Sequence, residues 1–87
     1  VAVLPVGFVR IAVGAIPYFY FGGVFYTVTP QREYVVVEPP VGAVVGKLPS
    51  NAAEVEIDGK LYYECDGTLY KPVQNKRSYE VVGKLND

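Results

Sequence analysis

Residues 4–37 read LPVGFVRIAVGAIPYFYFGGVFYTVTPQREYVVV, and residues 48–82 present the same motifs in the same order as LPSNAAEVEIDGKLYYECDGTLYKPVQNKRSYEVV. The two segments align at an offset of 44 residues, which becomes 45 after one inserted residue. The matching tyrosines are Tyr18 and Tyr62, Tyr26 and Tyr70, and Tyr34 and Tyr79. A period of this size predicts two copies of one supersecondary unit.

The length of the chain favours one shared core over two independent modules. A segment of about 40 residues buries too little surface to fold reliably without disulfides or metals, and Cys65 is the single cysteine among the 87 residues. We therefore expect one domain over residues 1–87. It consists of repeat one at 4–38, an extended crossover at 39–47 and repeat two at 48–83.

The residue pattern predicts an all-β fold. β-branched and aromatic residues, Gly and Pro leave no stretch of about ten residues with a helical period. We expect two pseudosymmetric four-stranded antiparallel meanders packed as one small sandwich or barrel, with two tandem SH3-like barrels as the alternative. A further short strand at 43–45 is left open. The predicted strands are 8–13, 18–21, 24–28, 34–38, 54–57, 61–65, 68–73 and 79–82.

Three turns set the predicted strand register. Two-residue turns at Gly22-Gly23 and Asp66-Gly67 suit the positive φ that such turns require, and the second turn pairs Tyr63 with Tyr70. At Asp58-Gly59 a two-residue turn would set Glu56 opposite Leu61, so we expect a three-residue bulged loop instead. That loop would pair Val55 with Leu61, Ala53 with Tyr63, Glu56 with Lys60 and Glu54 with Tyr62.

The charge balance argues against nucleic acid as a partner. The net charge is −1 and the isoelectric point is near 5.3, whereas phosphate binding needs clustered Lys and Arg. The single adjacent basic pair, Lys76-Arg77, lies in the polar stretch QNKRS, which we interpret as an exposed turn.

The sequence has no run of about 18 apolar residues, so it predicts no membrane span, and no signal peptide is visible. Since the chain starts at Val1 and VAVLP is similar to the later VGAVVGKLP, we expect it to be the processed part of a longer precursor.

The side chains offer little for catalysis, and we expect no enzyme activity, metal or cofactor. The sequence has no His, which removes the usual general base and the partner of a nucleophilic Cys. Cys65 is interpreted as a small core residue. Glu54 and Glu56 have a spacing that could form the carboxylate pair of a glycosidase. Pairing of Glu56 with Lys60 across an exposed strand is the simpler explanation. Asp58 and Asp66 precede glycines and are explained by turn formation.

Charge is distributed unevenly between the repeats. Arg10 and Arg32 are the only charged residues before Glu33, whereas the chain from Leu48 onward carries five basic and seven acidic residues. Four consecutive aromatic residues in repeat one predict a strand that is covered on both faces. Tyr20 and Tyr62 are expected to be partly exposed. The candidate interaction surface comprises Tyr18, Phe19, Tyr20, Phe21 and Tyr62.

Three segments, PYFYFGGVFYTVTP, YVVVEPPVGAVVGKLP and LYYECDGTLYKPV, resemble a family of small secreted bacterial envelope proteins of unknown function. That family carries tyrosine-rich YYYxxGxxYxPV modules joined by a VVxPPxGAVVxxLP segment, and PPVGAVVGKLP is the most specific match. The resemblance implies a secreted precursor with a periplasmic or outer-envelope location, and it implies no activity. The sequence departs from the pattern at Glu64-Cys65, where aromatics are usual, and in its GKLND ending.

These observations favour a non-enzymatic envelope protein that acts through self-association or through another envelope protein. Burial of the aromatic face of repeat one, aided by edge-strand pairing, would drive that interaction. The alternative is a glycan-binding or peptidoglycan-binding module that uses exposed tyrosines such as Tyr20 and Tyr62, although Trp, which is common on glycan platforms, is absent from the sequence. A purely structural role, in which the duplicated tyrosines pack each module together, explains the same residues.

Overall fold

Nine β-strands form the secondary structure of a computed structural model that describes residues 3–85, and no helix occurs within that range. The outermost two residues at each end of the expected domain lie outside the described residues. The strands are β1 (Val9–Val13), β2 (Ile16–Phe21), β3 (Val24–Val28), β4 (Tyr34–Val37), β5 (Val44–Val45), β6 (Ala53–Ile57), β7 (Lys60–Cys65), β8 (Thr68–Val73) and β9 (Ser78–Lys84).

The strands form two antiparallel sheets. The first sheet has the order β1-β2-β3-β4 and the second has the order β5-β9-β8-β7-β6. The predicted all-β fold of two packed meanders is therefore confirmed, and all eight predicted strands are present with small shifts at their ends. The short strand left open at 43–45 exists as β5, which pairs with β9 and makes the second sheet five-stranded. Neither sheet closes into a barrel, so the structure is a sandwich rather than a pair of SH3-like barrels.

Two of the three predicted turns are confirmed. Gly22-Gly23 joins Phe21 to Val24 as a directly opposed pair, with φ angles of 58° and 91°. Asp66-Gly67 has φ angles of 51° and 83° and places Tyr63 opposite Tyr70. Both central residues have positive φ, as the tightest hairpin turns require.

The predicted bulged loop at Asp58-Gly59 is wrong. Ile57 pairs directly with Lys60, so the turn has two residues, with φ angles of 52° and 77°. Glu56 therefore lies opposite Leu61, and the four pairings expected for this hairpin do not occur. The arrangement is tolerated because β6 is an edge strand on which Glu56 is exposed to solvent, so no carboxylate is buried.

The QNKRS stretch forms the exposed turn between β8 and β9, as predicted. Residues 74–77 are all exposed, and the Arg77 amide donates a 3.1 Å hydrogen bond to the Gln74 carbonyl oxygen. Gln74, Asn75 and Lys76 have φ angles between 53° and 65°. The basic pair is therefore part of a hairpin tip.

One hydrophobic core lies between the two sheets. Alternation along each strand sends every second side chain inward, and the two inward faces meet there. The first sheet contributes Ile11, Tyr20 and Phe25, and the second sheet and the crossover contribute Ala43, Val45, Cys65, Tyr70 and Val81.

Candidate interaction surface

The structure divides the sequence-predicted site residues among three places. Tyr18 and Tyr20 lie on the inward face of β2, whereas Phe19 and Phe21 lie on its outward face, because successive side chains of a strand point in opposite directions. Tyr62 lies on the outer face of the second sheet, opposite Val55 and half-buried. The five residues therefore do not form one surface.

Tyr20 corrects the expectation of a partly exposed side chain. It is only 5% exposed, and its hydroxyl donates a 2.7 Å hydrogen bond to the Lys47 carbonyl oxygen. Its ring packs on Phe25 with a centroid distance of 4.9 Å. A buried tyrosine is stable when its hydroxyl has a partner, and a carbonyl in the crossover supplies that partner here. The consecutive aromatic residues of β2 gave no alternation from which this could be read.

Four strands of the first sheet present a continuous apolar surface to solvent. The strand register places Arg10, Phe19, Tyr26 and Val36 side by side across the sheet, each opposite the next. The neighbouring outward pairs are Phe21 with Val24 and Val28 with Tyr34. We call this surface the aromatic face and define it by Phe8, Arg10, Phe19, Phe21, Val24, Tyr26, Val28, Tyr34 and Val36.

Three rings form a row on the aromatic face. Phe8 meets Phe19 edge-on with ring centroids 5.6 Å apart and an interplanar angle of 80°. Phe19 in turn meets Tyr34 with a centroid distance of 5.5 Å and an angle of 88°. Edge-to-face pairs of this kind add to the energy of simple burial. The rings therefore hold one another in fixed orientations.

The aromatic face is open to solvent and almost uncharged. Val36 is 62% exposed and Phe21 is 44% exposed, and Phe8 and Val28 are also exposed. Arg10 is the single charged residue among those that define the face. Contiguous apolar patches on soluble proteins commonly mark interaction sites. Phe8, Tyr26, Tyr34 and Val36 were not among the residues predicted for the interaction surface, although the correctly predicted Gly22-Gly23 turn sets Tyr26 beside Phe19.

The outer face of the second sheet has the opposite character. It carries Lys60, Glu64, Lys71 and Glu80 among its outward side chains. The Lys71 Nζ and Glu80 Oε1 atoms lie 3.9 Å apart across β8 and β9. Tyr62 thus lies on a mixed surface, opposite Val55 on β6 and between Lys60 and Glu64 on the outward side of its own strand.

Several shallow clefts open on the described residues, among them one of about 490 Å³ beside Glu38, Asp66 and Lys84. A cleft of about 260 Å³ lies beside Tyr20, Leu48 and Pro49, which is smaller than the roughly 300 Å³ at which pockets for small molecules begin. A shallow depression of about 290 Å³ lies beside Glu54 and Glu56, both exposed on an edge strand. Among residues 3–85, no cluster of His, Cys, Asp and Glu is suited to hold a metal ion.

Cys65 is buried, as expected of a small core residue. Burial raises the pKa of its thiol above the ordinary value, and the carboxylates of Asp66 and Glu64 raise it further. Because the thiolate is the reactive form of cysteine, this environment suppresses nucleophilic chemistry. Within the described part of the chain, no helix is long and apolar enough to cross a membrane.

A family model described as a family of unknown function (DUF6515) matches residues 1–85. The search of curated proteins and the search of solved structures found no match.

Proposed function

The chain belongs to the DUF6515 family of unknown function, and we propose that it is a non-enzymatic protein that acts by binding a protein partner through the aromatic face. The observation that carries this proposal is an apolar sheet face with one charged residue, on which the partly exposed rings of Phe19 and Tyr34 adjoin the exposed side chains of Phe8, Phe21, Val28 and Val36. Covering such a surface releases about 25 cal/mol for each Å² of apolar area. The protein therefore gains stability by finding a partner.

The strand edges offer a second source of affinity. β1 and β4 are the edge strands of the first sheet, and their free backbone groups can pair with an extended segment of a partner. Val36 lies on β4, so an edge contact there would adjoin the aromatic face. This supports the expectation that edge pairing aids the burial of the face.

We place this interaction in the periplasm or outer cell envelope. The support for that location is the resemblance of the PPVGAVVGKLP segment and its flanking tyrosine-rich modules to secreted envelope proteins. Fractionation of cells that express the natural gene tests it, with the protein expected in the periplasmic or envelope fraction. Recovery in the cytoplasmic fraction alone would contradict the location.

A site-specific photo-crosslinker tests the interaction itself. Placed at position 36, on the aromatic face, it should form adducts with protein in cells that produce the chain. Position 44 provides the matched control, because Val44 is also an exposed valine on a strand but pairs with Glu80 on the outer face of the second sheet. Adducts at 36 and none at 44 support the proposal. The absence of adducts at 36, or equal adducts at both positions, overturns it.

The alternative is a glycan-binding module, and the half-buried Tyr62 is the residue that would stack on a sugar. The burial of Tyr20 removes the second tyrosine that this hypothesis used. Binding to purified cell-wall polysaccharide that is lost in Tyr62→Ala would favour this alternative. Equal retention of the wild type and Tyr62→Ala, or no retention of either, would reject it.

A further inference from the structure

We propose that the partner on the aromatic face is a second copy of this chain, docked through the same face about a two-fold axis. This inference rests on the proposed function and specifies its partner. It follows from a comparison of the two sheets with each other.

Aligned positions of the two sequence segments differ in whether they face solvent or the core. In the first sheet these positions form the outward aromatic face, whereas in the second sheet they face the core. Val36 is 62% exposed, but the aligned Val81 is 1% exposed. The aligned pairs are Phe19 with Tyr63, Phe21 with Cys65, Tyr26 with Tyr70, Tyr34 with Tyr79 and Val36 with Val81.

The geometry at these positions is nearly the same in both sheets. Tyr63 meets Tyr79 edge-on with a centroid distance of 5.3 Å and an angle of 80°, close to the 5.5 Å and 88° of the outward Phe19 pair. Tyr26 pairs with Val36 as Tyr70 pairs with Val81. In the second sheet Tyr70 and Val81 are buried in the core between the sheets, and the Tyr63 and Tyr79 rings are partly buried beside the crossover. We infer that the outward arrangement has the form of a surface that packs against a sheet.

The aromatic face could dock on either of the two solvent-facing sheet surfaces of a second copy. The charged residues on those two surfaces show which one is favoured. The outer face of that copy's second sheet carries Lys60, Glu64, Lys71 and Glu80, and covering these with an apolar surface would remove their hydration without supplying new partners. Its aromatic face carries one charged residue, Arg10. Apolar surface therefore meets apolar surface when two aromatic faces dock, which is the isologous contact of a two-fold dimer.

The area of the aromatic face limits how tightly two copies can bind each other. Four strands spaced about 4.8 Å apart, with about five residues each at about 3.4 Å, give a footprint of roughly 330 Å² per copy. That is less than half of the about 800 Å² per partner of a standard stable interface. We therefore expect a weak dimer that forms only at high protein concentration.

Sedimentation equilibrium over loading concentrations from about 10 μM to about 1 mM measures this association. The average mass should rise from the 9.5 kDa of one chain towards twice that value. Val36→Lys should weaken the dimer at least about tenfold, since it places a charge in the contact. Val44→Lys is the matched control and should associate as the wild type does, and circular dichroism should show both variants folded.

Concentration-dependent amide shifts in an NMR titration identify the face. Shifts confined to the strands of the aromatic face support the two-fold contact. Shifts on both that face and the Lys71–Glu80 surface indicate front-to-back packing and overturn it. A strict monomer at every concentration also overturns the second copy as partner. Photo-crosslinks from position 36 to a different protein would then leave the proposed function standing while rejecting this inference.

Discussion

The hydroxyl of Tyr20 donates a 2.7 Å hydrogen bond to the carbonyl oxygen of Lys47, which ties the inward face of the first sheet to the crossover. Nearby in the core, the Tyr70 hydroxyl is fully buried and has no hydrogen-bond partner among residues 3–85. The same chemical group is thus satisfied at one position and unsatisfied at the other.

Removing these two hydroxyls should have different effects. Tyr20→Phe should lower the free energy of unfolding by about 0.5–1.5 kcal/mol, because the hydrogen bond to the Lys47 carbonyl oxygen is lost. Tyr70→Phe should leave the free energy of unfolding unchanged or raise it, since a buried hydroxyl without a partner is costly. Urea denaturation of both variants measures the difference. An equal loss in the two variants would contradict the hydrogen-bond assignment.

Stability should fall at alkaline pH. Burial raises the pKa of Tyr20 to about 12, with a small opposing effect from the Gly23 backbone. Burial also raises the pKa of Tyr70 and that of Cys65. The folded state favours the protonated forms of these three groups. Their contribution to the free energy of unfolding is therefore fully present below the unfolded pKa values, about 8.5 for Cys and about 10 for Tyr. It is lost as the pH rises through the folded values.

Urea midpoints at a series of pH values test this alkaline dependence. They should be constant near neutral pH and decline from about pH 8.5 upward. Tyr20→Phe should show a shallower decline than the wild type. A decline that begins below pH 8 would point to other groups.

The Cys65 thiol should be nearly inert in the native protein. Its burial and its raised pKa both disfavour the thiolate that reacts with aromatic disulfide reagents. In a denaturing concentration of urea the rate of labelling should rise at least about 100-fold. Free cysteine, assayed in the same solutions, corrects for the effect of urea on the reagent. Rapid labelling of the native protein would show that the core around Cys65 is open.

Gly23→Ala should destabilise the protein more than Gly67→Ala, although the two glycines occupy aligned turns. Both have φ angles that disfavour a side chain, 91° and 83°. A Cβ at Gly23 would lie 3.2 Å from the Cys65 Sγ and 3.3 Å from the Pro49 Cγ, whereas a Cβ at Gly67 would meet nothing within 4 Å. We expect an additional loss of about 1 kcal/mol at Gly23, at the low end of overpacking costs, because the Pro49 ring and the Cys65 Sγ must each move slightly. Equal losses in thermal unfolding would place the whole cost in the backbone.

The strands and two hairpins were readable from the sequence because local chemistry determines them. Gly22-Gly23 and Asp66-Gly67 supply the positive φ angles of two-residue turns, and each turn then sets its register. The prediction for the Asp58-Gly59 turn was wrong because a charged Glu56 directly opposite an apolar Leu61 was expected to be unfavourable. An exposed edge strand makes that pairing tolerable.

The sequence did not show which face of the first sheet points to solvent. Tyr18 to Phe21 are all aromatic, so the sequence has no polar residue to mark the solvent side of β2. Only the tertiary packing decides that Tyr20 is inside and Phe21 outside. The alignment of the two segments suggests equivalent roles for Tyr26 and Tyr70, yet Tyr26 lies on the outward face of its sheet and Tyr70 is buried in the core.

The charged outer face of the second sheet has a consequence for how far any assembly can grow. Once two aromatic faces have closed on each other, a third chain finds no further aromatic face, and the remaining outer face carries the Lys and Glu residues of β7, β8 and β9. Growth of a fibre by stacking of sheet faces would need an apolar face on both sides of every subunit. Assembly through the aromatic face therefore ends at two chains, although that face is apolar and exposed.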